Sequence, residues 1–201
     1  MTSAMEELCE ALFLDQVPDP WTARAYSSTF GLTAWYADLL LRMKEVETWV
    51  AEFQVPPAVW LAGFFNPQSF LTAIMQSTAR KCELPLDQMC LQCDVTKKNK
   101  EDFTSPPREG AYVHGLFLEG ASWDTENSIL IDSRVKELHP QMPVIFIKAI
   151  TQDKAESRNL YKCPLYKTRQ RGPTYVWTLS LKTKEKPAKW ILAGVALLLQ
   201  V

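Results

Sequence analysis

The cysteines and histidines of this sequence are the side chains best suited to bind zinc or to take part in nucleophilic catalysis. Cys90 and Cys93 form a C-x-x-C pair, which supplies two of the four ligands that a structural zinc site needs. Further ligands would have to come from Cys82, Cys163, His114 and His139. The pair lies in a predicted strand, where a separation of three residues places the two thiols on opposite faces, and no second closely spaced pair exists. We therefore predict structural cysteines and no metal site.

Enzymatic chemistry has no clear set of residues in this sequence. His114 lies inside a strand pattern and His139 precedes Pro140, so neither histidine has the surroundings of a base that activates a nucleophile. The seven glycines form neither G-x-x-x-x-G-K-[ST] nor G-x-G-x-x-G, the loops in which backbone amides approach phosphate. We predict that the protein is not an enzyme and that it binds no cofactor.

Basic residues concentrate near the end of the sequence. The whole sequence has a net charge of −1, which gives no overall attraction for nucleic acid or membrane, but residues 160–201 contain eight Lys or Arg and one acid. Such a segment indicates a solvated surface that docks on an acidic neighbour. The interleaved aromatics also fit a face that stacks nucleic-acid bases, although alternation in a strand explains them without a ligand. The candidate interaction residues are Lys162, Lys167, Arg169, Arg171, Lys182 and Lys184.

Helical periodicity dominates the first half of the sequence. A short helix is predicted over Glu6–Asp15, and Asn66 followed by Pro67 has the form of a helix start, with the helix ending near Lys81. The clearest helix is predicted over Leu32–Phe53. Its apolar residues recur in steps of four and three, which favours a helix facing a core over a coiled-coil seam. These residues are Leu32, Tyr36, Leu39, Met43, Val46, Val50 and Phe53.

Short segments rich in strand-forming residues follow Pro85, separated by Pro and Gly turns. The predicted strands are Met89–Val95, Tyr112–Leu118, Val144–Ile150, Leu160–Tyr166, Tyr175–Leu181 and Val195–Leu199. In the fifth strand, alternation places Tyr175, Trp177, Leu179 and Leu181 on one buried face. The sequence thus predicts an α+β fold with a helical subdomain over 1–85 and a small antiparallel β-barrel over 86–201.

Several longer sequence segments occur in the order found at the end of dynein heavy chains. The sequence resembles this region over its whole length. The segments are G-F-F-N-P-Q-S-F-L-T-A, Y-V-H-G-L-F-L-E-G-A-S-W-D, M-P-V-I-F-I-K-A, Y-K-C-P-L-Y-K-T and A-L-L-L-Q-V. The stretches R-G-P-T-Y-V-W-T and K-T-K-E-K-P-A-K-W-I look most like the outer-arm beta-type axonemal heavy chains.

The resemblance implies a helical part and a small β-barrel that lie against a ring of AAA+ modules. It implies that ATP and magnesium are bound in upstream modules of the parent motor, and that this segment is non-catalytic. The implied partners are those upstream modules directly, and the intermediate chains, light chains and microtubules through the parent complex. The implied location is the cytoplasm and the axoneme of a cilium or flagellum, as part of the cytoskeleton.

Two functional hypotheses follow. In the first, the long helix and one barrel face dock on neighbouring ATPase modules and tune how they move, so the isolated segment should expose an apolar surface. In the second, the segment is a stand-alone barrel that binds an acidic protein or nucleic acid through its basic end.

Overall fold

The structure is a computed structural model that describes residues 2–155 and 158–201. Its helices are α1 (Ser3–Phe13), α2 (Asp19–Thr22), α3 (Leu32–Glu52), α4 (Pro67–Cys82) and α5 (Pro187–Leu192). The first four precede almost all of the strands. The predicted order of helices and then sheets, in an α+β fold, is therefore confirmed.

Ten strands form two four-stranded sheets and one hairpin within the described residues. The strands are β1 (Val59–Trp60), β2 (Met89–Val95), β3 (Ala111–His114), β4 (Phe117–Glu119), β5 (Ala121–Asp124), β6 (Ile129–Asp132), β7 (Ile145–Thr151), β8 (Leu160–Tyr166), β9 (Tyr175–Lys182) and β10 (Ala196–Leu198). One sheet has the order β1-β3-β7-β2 and the other has the order β4-β10-β8-β9, while β5 pairs with β6.

The predicted closed antiparallel barrel is wrong in two respects. Each large sheet contains one parallel pair, β1 with β3 and β10 with β8. Parallel neighbours need a crossover connection, which α4 with β2 supplies in the first case and β9 with α5 in the second. The sheets also remain open, because no ladder joins β2 to β9 in the described part of the protein. These two strands meet instead through the Cys93 thiol, which donates to the Ser180 carbonyl at 2.9 Å.

The proposed division into residues 1–85 and 86–201 stays a prediction. Strand β1 lies in the first range and pairs with β3 in the second. Helix α4 also places Leu71, Ile74 and Met75 in the same buried cluster as the strand residues.

The structure of helix α4 confirms the cap and the start that the sequence predicts. The Asn66 side-chain oxygen accepts a hydrogen bond from the Ser69 amide at 3.3 Å, and Pro67 occupies the first turn, where its missing amide costs nothing. Its buried residues follow helical spacing and pack over β7 and β2. The helix ends at Cys82, one residue beyond the predicted Lys81.

A β-bulge changes which side chains of β9 face the core. Leu165 pairs with Trp177 and Tyr166 with Tyr175, so Val176 is the extra residue on its strand. Val176 is fully buried and Tyr175 is 48% exposed, which contradicts the predicted burial of Tyr175. Simple alternation cannot anticipate the phase change that one inserted residue causes.

Candidate interaction surface

Helix α3 is buried on a different face from the one that its apolar stripe predicted. Its contacts with the domain run along Trp35, Asp38, Arg42 and Trp49, which are buried or half-buried and spaced three, four and seven residues apart. Most of the predicted core-facing residues are instead exposed. The prediction that this stripe faces the domain's own core is therefore wrong.

The exposed stripe forms what we call the α3 outer face. It consists of Tyr36, Leu40, Met43, Val46 and Val50, spaced four, three, three and four residues apart, so that all five lie on one side of the helix. Each is between 49% and 58% exposed, and Phe53 at the helix end is 88% exposed. Contiguous exposed apolar side chains are typical of an interaction site. In residues 2–155 and 158–201, no helix is long and apolar enough to span a bilayer.

Arg42 fixes another side of α3 to the rest of the domain. Its Nε atom donates to the Asp38 carboxylate at 2.7 Å, and its Nη1 atom donates to the carbonyl oxygen of Ala62. Its guanidinium also lies over the Tyr26 ring, 3.6 Å from the ring centroid, and faces Trp60 at 5.3 Å. A buried guanidinium with a carboxylate, a carbonyl and two aromatic rings has partners for its charge and donors, so it can remain buried.

Tyr26 joins this contact to the segment ahead of α3. Its ring stacks on Trp35 and meets Phe65 edge-on, with centroids 6.1 Å and 5.6 Å apart, and its hydroxyl donates to the Trp35 carbonyl at 3.1 Å. Burial first, then the neighbouring Asp38 carboxylate, raise the pKa of the Tyr26 hydroxyl above its ordinary value. The hydroxyl therefore stays protonated and keeps donating.

The last residues of the sequence hold the same segment. The side-chain oxygen of Gln200 accepts from the Thr29 amide at 3.0 Å, and its amide nitrogen donates to the Ser28 hydroxyl at 2.8 Å. Gln200 is buried beside β10. The position of α3 is therefore set from two directions, by Arg42 and by the residues after β10.

The six basic candidates differ in how far they are engaged within the domain. Arg171 pairs with the Glu119 carboxylate and donates to the Gly194 carbonyl at 2.7 Å, Lys167 donates to the Phe65 carbonyl at 3.2 Å, and Lys182 lies 3.8 Å from Asp94. The remaining three form no salt bridge with any residue that the structure describes. They are exposed and comprise Lys162, Arg169 and Lys184. Their role in binding stays a prediction.

The comparison with known proteins identifies the family. The family described as the C-terminal domain of the dynein heavy chain matches residues 1–199. The protein belongs to this family. It is 71% identical over 201 residues to the ciliary dynein beta chain of Tripneustes gratilla and 68% identical to dynein axonemal heavy chain 17 of Homo sapiens. It is 49% identical to the flagellar outer-arm dynein beta chain of Chlamydomonas reinhardtii.

These matches cover 100% of the sequence but only 4% of each relative, so the protein spans a small part of the length of a dynein heavy chain. The resemblance to the end of axonemal heavy chains is confirmed. The α3 outer face is thus a surface of one domain that in its relatives is joined to a far longer polypeptide.

Two of the cysteines of this dynein C-terminal domain lie in its core, whereas Cys90 is half-buried and Cys82 is exposed. Cys93 and Cys163 are buried, and burial raises the pKa of the Cys93 thiol to about 12 and also raises that of Cys163. A protonated thiol is a poor nucleophile and a poor metal ligand at neutral pH. Among residues 2–155 and 158–201, no cluster of three His, Cys, Asp or Glu side chains is arranged to hold a metal ion.

The two histidines lie in different environments. His114 is half-buried in β3, and burial first, then the Lys100 charge, lower its pKa from 6.5 to about 4. The His139 Nε2 atom lies 3.4 Å from one oxygen of the Glu119 carboxylate, and Arg171 pairs with the other oxygen. Burial opposes ionisation of Glu119, but the hydrogen bonds from Arg171 and His139 outweigh it and hold the Glu119 pKa below its ordinary value.

Sequence reasoning missed the residues that orient α3. Arg42 lies off the apolar stripe, although Asp38 precedes it by four residues, the spacing of an ion pair on a helix. This spacing is the sequence feature from which the ion pair of Arg42 with Asp38 could have been predicted. Gln200 carried no signal, because its partners lie more than 170 residues away in sequence.

Proposed function

We propose that this protein is the non-catalytic C-terminal segment of a ciliary or flagellar dynein heavy chain, and that it packs on the AAA+ motor ring through the α3 outer face. In this role it modulates the ATP-driven movement of the parent motor along microtubules. The observation that supports this role most directly is the row of five exposed apolar residues on a long helix whose other side is fixed by Arg42.

The α3 outer face is suited to a buried contact. Removing apolar surface from water stabilises by about 25 cal/mol per Å², so covering five half-exposed side chains contributes several kcal/mol in total. Arg42 and Gln200 already fix the position of α3 within the domain. Little conformational entropy is therefore lost when a partner covers the α3 outer face. A helix held in this way can also transmit a force between the ring and the sheets.

The partners in this proposal are those of the whole motor. The direct partner is the set of upstream AAA+ modules of the same heavy chain, while intermediate chains, light chains and microtubules are reached through the complex. ATP and magnesium are bound upstream, and this segment needs no cofactor of its own. The location is the cytoplasm and the axoneme.

The proposal is tested by comparing a dynein heavy chain that carries this domain with the same heavy chain lacking these 201 residues. ATPase rate and microtubule gliding velocity are measured for both, and ATP turnover is measured for the segment alone. Altered motor output with a silent segment is the expected result. Turnover by the segment alone would contradict the non-catalytic role, and unchanged motor output would contradict modulation.

A second candidate is a stand-alone domain that binds an acidic protein or nucleic acid. It rests on Lys162, Arg169 and Lys184, which are exposed and form no salt bridge with any described residue. Phosphate binding through such residues weakens steeply with salt. Titration of the segment with a single-stranded oligonucleotide and with polyglutamate, each at two salt concentrations, tests it, and the absence of binding at low salt rejects it.

A further inference from the structure

A groove lies beside the α3 outer face, between α4, the end of α3 and the loop ahead of β3. Its volume is about 560 Å³. Its floor is formed by α4, and its walls are formed by Trp49 and Val55 on one side and by Pro106 and Pro107 on the other. We call this the α4 groove. The lining is mainly apolar, as in most sites that receive a side chain of a partner.

The floor has the form that accepts an α-helix. Two parallel rows of α4 side chains line it, with a spacing of four residues in each row. The first row is Phe70, Ile74 and Thr78, and the second is Ala73, Ser77 and Lys81. Helices pack by placing a ridge of one into the groove between two such rows of the other. Ala73 and Ser77 are small and exposed, so a second helix can approach α4 closely along this line.

Two basic residues line the α4 groove. Lys81 and Arg108 are exposed there, and neither forms a salt bridge with any residue of the described ranges. Glu109 is the one acid among the described residues that line the groove. A partner with an acidic side chain near Lys81 or Arg108 would find a cation to pair with.

The groove is continuous with the α3 outer face through α3 itself. Trp49 lines the groove, while its neighbour Val50 belongs to the outer face and Phe53 is exposed at the helix end. A partner that covers the outer face therefore lies next to the groove.

We propose that the α4 groove receives an acidic amphipathic α-helix of the same heavy chain that covers the α3 outer face. This inference rests on the proposed function, because it names the chemistry of the partner at that interface. The apolar side of the incoming helix packs against Phe70, Ile74 and Trp49, and its acidic residue pairs with Lys81 and Arg108.

Site-directed labelling of an intact dynein heavy chain that carries this domain tests the proposal. Cysteine is placed in the groove by Ser77→Cys, on an exposed position of α4 outside the groove by Gln76→Cys, and on the outer face by Met43→Cys. The rate of modification by a maleimide is measured by peptide mass spectrometry. The expected result is that Ser77→Cys reacts at least tenfold more slowly than Gln76→Cys.

The charge requirement is tested in the same heavy chain. Lys81→Glu with Arg108→Glu should raise the labelling rate of Ser77→Cys several-fold, because the acidic residue of the incoming helix is then repelled. The matched control, Lys136→Glu with Lys154→Glu, reverses two exposed charges outside the groove and outside the basic candidates, and should leave that rate unchanged. An unchanged rate after the groove reversal would overturn the acidic partner.

The outcomes separate this inference from the proposed function. Slow labelling of Met43→Cys with fast labelling of Ser77→Cys would overturn the groove assignment and leave the docking of α3 intact. Fast labelling of both would contradict both. Protection of Ser77→Cys that increases with protein concentration would show that a second molecule fills the groove, which also overturns the proposal.

Discussion

Arg42 shows how one charged residue determines the orientation of a helix. Its guanidinium is buried among Asp38, the Ala62 carbonyl and the rings of Tyr26 and Trp60, so the side of α3 that carries Arg42 faces the domain and the apolar α3 outer face is exposed. The sequence pattern predicted the reverse, because hydrophobic periodicity treats a charged residue as solvent-facing. A charge that is fully paired breaks that rule.

Replacing Arg42 by alanine should therefore destabilise the domain. Removal leaves the Asp38 carboxylate, whose side chain is 14% exposed, without its cation, and such losses cost about 3 kcal/mol. Urea unfolding measures the change. Arg134→Ala is the matched control, since its 4.0 Å contact with Glu137 is exposed and should contribute less than about 0.5 kcal/mol. Equal effects of the two substitutions would contradict the role assigned to Arg42.

His114 should make the domain less stable as the pH falls. Its pKa is about 4 in the folded protein and 6.5 when exposed, so between these values the unfolded protein binds a proton that the folded protein does not. Stability due to the neutral ring is complete above pH 6.5 and decreases towards pH 4. Between pH 7 and pH 5 the expected loss is about 1 to 2 kcal/mol.

The contribution of His114 is isolated by measuring the free energy of unfolding at pH 7 and pH 5. The measurement is made for the original protein and for His114→Gln. The variant should lose less stability on acidification, whereas His139→Gln should retain the part due to His114. If His114→Gln has the same pH dependence as the original protein, the assigned pKa is wrong.

At the scale of elements, short-range sequence patterns predicted which helices and strands form, whereas contacts between distant residues determine how these elements are arranged. The Asn66 cap, the Pro67 start and the bounds of β8 followed from the sequence, because each depends on residues a few positions apart. The parallel pairing of β1 with β3 could not be predicted, because a two-residue strand has no periodicity. The bulge at Val176 was missed for a similar reason, since one extra residue leaves no pattern of its own.

The turn that leads into β3 should be intolerant of a side chain at Gly110. Its φ is +75°, and an added Cβ atom would overlap the Ile147 carbonyl oxygen of β7. Gly110→Ala should cost more than about 3 kcal/mol, since both the left-handed backbone and the contact oppose it. Gly172 is the matched control, with a φ of +49° and no atom within 4 Å of the added Cβ.

Gly172→Ala should therefore cost only the backbone penalty, about 1 to 2 kcal/mol. Thermal or urea unfolding of both variants compares them. A smaller loss for Gly110→Ala than for Gly172→Ala would show that β3 and β7 approach each other less closely than the structure indicates.

At the scale of the whole molecule, the apolar outer face of helix α3 is left exposed by the rest of the domain that the structure describes. The sheets of the domain bury their shared core, and every residue of β10 is buried. The α3 outer face and the α4 groove are left open on one flank. Among curated relatives the same domain accounts for 4% of the polypeptide, so a covering surface can come from the rest of the heavy chain. The sequence predicted that an exposed apolar surface would exist, but it did not predict the Arg42 contacts that create it.

The most direct test of this account is the microtubule gliding velocity of a dynein heavy chain with a disrupted α3 outer face. Leu40→Lys with Val50→Lys places two charges on that face, while Ala37→Lys with Thr48→Lys places the same charges on exposed positions of α3 outside it. The account predicts that the first pair shifts velocity in the same direction as removal of the domain, and that the second pair leaves it unchanged. Equal velocities for the two pairs would contradict docking through the α3 outer face.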